Sequence, residues 1–415
     1  MLLRSAVVMA CLVVLTPPVS RAAARHVGHD LQSAIDSAQP GDTLSLAAGT
    51  YEAKPAEFID SLCGNCQDQR TRHHASYGFH VKDKSLWIVG AGTGKTILVT
   101  KAGYGVFFDN AGESGITNLA ITGGIRDTCG MATDAAIVAR NTRLTVANCW
   151  IRDNTQYPES TIVGIGGVMG REGAELIVLN NRITNNTWDG VALYRGATAY
   201  IADNEIAKGR GAGVGVTWDA TATVLRNRVS GYWKGIGSFG ATRVVCKNNI
   251  VFNLIGWGIV ATGTSYMDCA NNVVYQCGNC GFGLWGPDVH GRLANNVFVK
   301  NGWREQWVCP RVGVWNYGHP IQFPMSNNLL WENVEGDWRD MPDYTDEYGN
   351  VHADPVWDTL TFAPLPGSPL IDKGNSELSD PDGSACDIGI YGGPQAFRTP
   401  VEVSRSAPVD TRKKK

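Results

Sequence analysis

Residues 178–206 read VLNNRITNNTWDGVALYRGATAYIADNEI. Within this stretch Asn181-Arg182-Ile183 returns as Asn204-Glu205-Ile206, with Gly190-Val191 between them. The same asparagine recurs at Asn227, Asn249, Asn272 and Asn296, so successive gaps are 23, 23, 22, 23 and 24 residues. Asn148 and Asn328 extend the series across longer gaps that read as loop insertions. The residue pairs that follow are alike: Arg228-Val229, Ile250-Val251, Val273-Val274 and Val297-Phe298. A glycine with an apolar follower also repeats, at Gly213-Val214, Gly235-Ile236, Gly258-Ile259 and Gly281-Phe282. A period of this size marks a solenoid. Each period is β-branched, broken by Gly and Asn, and shows no helical spacing, so it reads as short strands joined by turns. The predicted fold is all-β, a parallel β-helix in which each coil is one period. An asparagine at one fixed turn can adopt left-handed backbone angles. Its amide can also bond the equivalent amide on the coils above and below, as ladders do in stacked strands.

The bulk numbers agree with a turning chain of half-buried strands. Of 415 residues, 49 are Gly and only 18% are charged. The formal net charge of −3 gives no reason to expect nucleic acid as a partner. A solenoid grows by repetition, so this length is read as one domain.

The first residues, MLLRSAVVMACLVVLTPPVSRAAARH, have the form of an export signal. Arg4 is the positive end, Ser5 to Leu15 the apolar core, and Ala22-Ala23-Ala24 the small-residue cleavage site. That core is too short to span a bilayer. The mature chain is therefore expected to be secreted or periplasmic, with no membrane contact after cleavage, and monomeric. The expected division is 1–24 signal peptide, 25–398 β-helix domain with insertions at 53–78 and 332–350, and 399–415 a disordered basic tail. Ten cysteines remain after cleavage, an even number that favours disulfides in an exported protein. Cys246 and Cys269, 23 apart, should stack about 4.8 Å apart on adjacent coils. They are either a disulfide or two thiols in an interior stack. In the two CGNC motifs, Cys63–Cys66 and Cys277–Cys280, disulfides are the favoured reading. The first also has His73 and His74 nearby, ligand types that zinc accepts.

Residues 28–52, GHDLQSAIDSAQPGDTLSLAAGTYE, begin with Leu31, Ala34, Ile35 and Ala38 on one helical face. Pro40-Gly41-Asp42 ends that helix and a strand starts at Thr43. Such a helix would cap the open end of the core. The opening "LQSAIDSAQPGDTLSLAAGTYE", the coil register, and the ending "NVHADPVWDTLTFAPLPGSPLIDKG" followed by "DPDGSACDIGIYGG" resemble the right-handed parallel β-helix proteins of the pectin-lyase-like class. The resemblance covers about residues 28–394. It implies a single-stranded right-handed coil and an extracellular protein that faces polysaccharide. The class hosts several chemistries, so the fold alone does not choose among them. The polygalacturonase-type aspartate motifs and the histidine signature of the mannuronan epimerases are missing from this sequence.

Stacking makes outward side chains at equal positions neighbours. Tyr194, Thr217, Phe239, Thr262, Trp285 and Tyr317 form one such row, and Trp188 and Trp233 share another position beside Asp189 and Lys234. Aromatic rings can stack on the apolar faces of sugars, or they can simply support the sheet. Trp188, Tyr194, Trp218, Trp233, Phe239, Trp285 and Tyr317 are the candidate substrate-binding residues. A polysaccharide lyase needs a base for the proton beside a uronate carboxylate and a cation to offset that carboxylate. Lys234, Arg195, Arg311, Asp189 and His290 are the candidate catalytic residues. Hydrolysis would need a carboxylate pair, and no such pair shares a coil position. The expected partner is a polysaccharide or surface glycan, with a lyase as the first reading and a non-catalytic glycan-binding or structural solenoid as the alternative. The acidic stretch 332–350 offers oxygen ligands that calcium could use, without an EF-hand spacing. Gly90-Ala-Gly-Thr-Gly-Lys95-Thr96 lacks the first glycine of a phosphate loop and is followed by a strand, so it reads as a turn.

Overall fold

The computed structural model describes residues 24–63, 71–127, 134–155, 164–317 and 323–403. The expected signal peptide, Cys66, the side chain of Cys63 and the tail from residue 404 lie outside what is described. The chain winds into coils with three faces. The first face carries strands such as Gly166–Arg171, Val191–Leu193, Ala212–Trp218, Lys234–Gly240, Trp257–Thr262 and Phe282–Trp285. The second carries Glu175–Leu179, Thr198–Ala202, Thr221–Leu225, Arg243–Lys247, Tyr266–Ala270 and His290–Ala294. The third is a parallel sheet of twelve strands among the described residues, from Gly49–Glu52 to Val351–His352. Each strand pairs in parallel with its equivalent one coil away, as in Val214↔Ile236↔Ile259 on the first face. The inner residues are Val, Ile, Leu and Phe at alternate positions, and they fill one continuous core. Alternation puts the intervening side chains outside.

The asparagine ladder exists and runs further than the even spacing indicated. From Asn181 through Asn204, Asn227, Asn249, Asn272, Asn296 and Asn328 to Asn350, each side-chain N–H donates to the next Oδ1 at 2.9–3.1 Å. Each backbone N–H donates to the same Oδ1, so one oxygen serves two donors. The left-handed residue is not the ladder asparagine, as expected above, but the one before it: Asn180, Asp203, Arg226, Asn248, Asn271, Asn295 and Asn327 all have φ between 51° and 60°. Asn148 belongs to that preceding column, with φ 52°. Cys149 takes the ladder position and donates its N–H to Asn181 Oδ1. A second, shorter ladder at the next corner joins Asn154 to Asn186 and Asn301 to Asn333.

The capping helix is Leu31–Ser37, with Asp30 accepting the Ser33 N–H at 3.0 Å and Leu31 and Ile35 buried. No helix among the described residues is long and apolar enough to cross a membrane. Both expected insertions turn out to supply strands. Ala56–Cys63 and Thr71–Lys82 form an antiparallel hairpin, and the second strand then pairs with Tyr104–Thr117 on the first face. Within 332–350, Trp338–Arg339 pairs with the first face and Asn350 ends the ladder, so this acidic stretch is itself a coil. Its polar residues lacked the apolar alternation that marks a strand, which is why it read as a loop. Nor does the tail break off at 399. Val403 is buried, and its N–H donates to Leu360 O. Thr96 begins a strand after the glycine-rich turn, as expected. Cys246 and Cys269 pair on adjacent strands with both thiols free and pointing inward.

Candidate functional site

The hairpin divides the first face. Over the coils nearer the N-terminus, Phe58 packs on Phe107 and Tyr104, with ring centres 5.7 and 5.5 Å apart. An ion cluster fastens the hairpin there. Arg140 pairs with Asp60 at 2.7 Å and with Glu172 at 3.2 Å, and Arg171 and Arg195 both bond Glu172 and the carbonyl of Leu62. Burial pushes the Asp60 carboxyl up, but the Arg140 charge and the Tyr104 hydroxyl outweigh it and hold the group below its usual range. Arg195, expected to meet substrate, is thus part of the hairpin's anchor. Tyr194 is 5% exposed rather than open on the outer row, because the same hairpin side of the face covers it. Trp218, at the end of its strand, packs partly against that cluster.

Beyond the hairpin the face is covered only in part, by the segment 302–311, and here Asp189 and Lys234 come together, the first buried and the second half-buried. Gly166, Asp189, Ala212, Lys234 and Trp257 hold one outward position on successive coils. The Asp189 carboxylate lies along the next coil and accepts the Ala212 N–H at 2.6 Å. A Cβ on Gly211 would overlap that carboxylate, so a glycine there is what lets the carboxylate lie flat. The Tyr194 hydroxyl donates to Asp189 as well. Burial pushes Asp189 up to about 6, against the pull of the Ala212 N–H and the Lys234 charge. Lys234 Nζ sits 4.9 Å from the Phe239 ring centre and 5.6 Å from that of Trp257. Phe239 reaches this place by folding down over Gly237, where any side chain would collide with the ring. Burial draws the Lys234 amine below its usual range, and the Asp189 charge opposes that only in part. A cation held over two rings is favoured electrostatically, while an amine removed from water gives up its proton more readily.

The predicted aromatic row is present in register: Thr217, Phe239, Thr262 and Trp285 are paired neighbours, and Tyr317 follows next to Trp285 with ring centres 5.6 Å apart. The row gains two residues that the spacing did not mark as members. Trp257 lies 5.2 Å and Trp315 6.0 Å from Trp285. Trp315 stands two positions before Tyr317, so comparing alternate outward columns would have found it, whereas Trp257 stands five positions before Thr262, in the column of Lys234, and meets Trp285 only through the length of the two side chains. Trp188 carries Arg210 over its ring at 5.9 Å. Trp233 is flanked by Trp307 at 4.9 Å and Arg304 at 5.0 Å, both from the segment 302–311. Arg311 stands at the rim, donating to Gly302 O at 2.7 Å and facing Glu335. His290 does not join the site. It is on the second face, exposed, with its ring edge against Tyr266.

Among the described residues no three His, Cys, Asp or Glu side chains converge as metal ligands. The acids of 332–350 are spread over separate partners: Glu332 with Lys300, Glu335 with Arg311, Asp337 with His352, and Asp340 with the Trp315 N–H.

A family described as "right handed beta helix region" matches residues 166–330, the regular coils themselves. The fold is a right-handed parallel β-helix. Solved structures to which this β-helix is similar include the A-module of a mannuronan C-5 epimerase from Azotobacter vinelandii, at 14% identity over 78% of this chain and 94% of that one, TM-score 0.44. A pectate lyase aligns at 13% identity over 86% and 90%, TM-score 0.47. The catalytic unit of a GH87 alpha-1,3-glucanase from Streptomyces thermodiastaticus aligns at 13% over 82% and 70%, TM-score 0.45. No curated protein sequence matches this β-helix.

Proposed function

We propose that this is an exported carbohydrate-active β-helix protein that binds an acidic polysaccharide along the open part of its first face and cleaves it by β-elimination. The observation that carries the reading is Lys234, an amine drawn out of water between Phe239 and Trp257 with buried Asp189 as its counter-charge. In its neutral form Lys234 takes the proton beside the uronate carboxylate. The electron pair left behind forms a carbon–carbon double bond, and the glycosidic oxygen departs from the adjacent carbon with the electron pair of the broken bond and takes a proton from solvent. Arg210, two residues before Ala212 and over the Trp188 ring, is assigned to the uronate carboxylate. Trp285 and Tyr317 continue the same face and offer rings to further sugars, with buried Trp315 packed against both.

The test is incubation of the mature chain with polyuronates and neutral polysaccharides, following the ultraviolet absorbance of unsaturated uronate ends beside a reducing-sugar assay. Lys234→Arg separates the two roles of this side chain. Arginine keeps the charge but does not deprotonate, so glycan retention should stay within a few-fold while turnover falls on the order of 10²–10⁴-fold. Reducing ends without the absorbance would mean hydrolysis. Retention on an immobilised glycan with no new ends would retire catalysis in favour of a binding protein.

A further inference from the structure

Cys280 and Cys309 meet outside the β-helix core, where the segment 302–311 crosses the first face. Cys280 holds the outward position that Lys234 and Trp257 hold on earlier coils. Its sulfur is 3.2 Å from Cys309 Sγ. Both residues are fully buried among Trp257, Val260, Val312 and Trp315. A disulfide joins sulfurs at about 2.05 Å, so small side-chain rotations close the gap. We propose that Cys280 and Cys309 are joined by a disulfide when the chain folds under oxidising conditions, and that this bond fastens the 302–311 segment beside the open face.

The bond forms by two exchanges with a small disulfide such as oxidised glutathione. One cysteine thiolate attacks a glutathione sulfur, giving a mixed disulfide and releasing one glutathione thiol. The second cysteine thiolate then displaces the other glutathione. Two protons leave the cysteines, and the oxidant takes up two electrons as it becomes two thiols.

The other described cysteines are placed for different work. Cys277 points into the main core, on the opposite side of the sheet from Cys280. Cys246 and Cys269 accept ladder amide N–H groups from Asn249 and Asn272 at 3.5 and 3.3 Å. The pairing therefore differs from the link within Cys277–Cys280 that the motif suggested. Burial holds the Cys280 thiol well above its ordinary range, so exchange is slow once the chain is folded. The fastened segment brings Arg304 and Trp307 onto Trp233, and the Trp303 indole N–H onto Gln276 O at 2.8 Å. The bond would thus set one wall of the open face, whatever that face binds.

The full chain is refolded in a buffer of oxidised and reduced glutathione, its remaining thiols are alkylated in denaturant, and it is digested without reductant for mass spectrometry. The expected result is one linked peptide pair containing Cys280 and Cys309 that disappears on reduction, with Cys246 and Cys269 carrying the alkyl label. Alkylated Cys280 and Cys309, or Cys309 linked elsewhere, overturns the pairing. Cys309→Ser should leave Cys280 labelled. The unsubstituted chain refolded in reductant alone should be cleaved by protease within 302–311 several-fold faster than the chain refolded in the glutathione buffer. An unchanged cleavage rate would show that no bond fastens the segment.

Discussion

Asp189 and Lys234 change each other's chemistry, and the sign of the effect can be measured. Asp189 is raised from 3.8 to about 6 in the folded chain. Between those values the folded protein holds more protons than the unfolded one. Its contribution to stability is present below 3.8, declines as pH rises through the window, and is lost above about 6. Asp189→Asn removes this slope. From about pH 4 to about pH 7 the parent should lose on the order of 1–3 kcal/mol relative to the variant, read by urea unfolding at each pH. The same substitution takes away the anion that favours the Lys234 ammonium, so the acid limb of the pH–turnover profile should move to lower pH. A limb that stays in place would mean Lys234 is not the titrating base. The sequence places Lys234 and Asp189 side by side because both stand next to tryptophans that share a coil position. It could not show that Tyr194 and Arg195 are covered, since the hairpin that covers them comes from residues more than a hundred positions earlier.

At the scale of the coil, the asparagine corner is the element that can be tested by one substitution. Asn249 donates to Val224 O and Asn272 Oδ1, and its own Oδ1 accepts two N–H groups of Asn227. All of these groups are buried. Asn249→Ala therefore strands the Asn227 backbone N–H where water cannot reach it, and leaves Asn272 Oδ1 with one N–H donor, the backbone N–H of residue 249, in place of two. The expected cost is about 2–4 kcal/mol, seen as a lower urea midpoint with an unchanged slope. The period and the parallel strands were legible because every coil repeats the same corner and the same inward residues. What escaped were elements built only once. The hairpin Ala56–Cys63 and Thr71–Lys82 has no second copy to be compared with. The coil through Trp338–Arg339 keeps the corner at Asn350 but carries few apolar residues between its corners.

For the whole molecule, the outward column of the third face explains why a long non-repeating segment follows the coils. Its members run Trp150, Arg182, Glu205, Arg228, Ile250, Val273, Val297 and Leu329. Over the first half Trp150 is covered by the guanidinium groups of Arg152 and Arg182, and the residues after it are charged, as with Arg182 and Glu205 at 3.5 Å, so water serves them well. From Ile250 onward they are apolar, and an uncovered apolar stripe of that length would invite association. The segment 354–403 lies on that stripe, placing Trp357, Phe362, Leu370, Ile388 and Ile390 against it in a second core separate from the coil interior. The cover ends where the charges begin, and a cleft of about 760 Å³ opens there between Arg182, Glu205, Arg228 and the segment around Gln395. Phe362 is the keystone of this second core, 1% exposed, with its ring centre 4.9 Å from that of Trp357 and 5.4 Å from that of Tyr275. Phe362→Ala should cost about 3–5 kcal/mol where the cover meets the coils. Because each coil contacts mainly its neighbours, that loss should stay local. The variant should be cleaved within 354–403 by a protease that spares the parent and should bind a hydrophobic dye, while its far-ultraviolet β signal is kept. Collapse of the β signal together with the cover would instead mean that the two cores unfold as one unit.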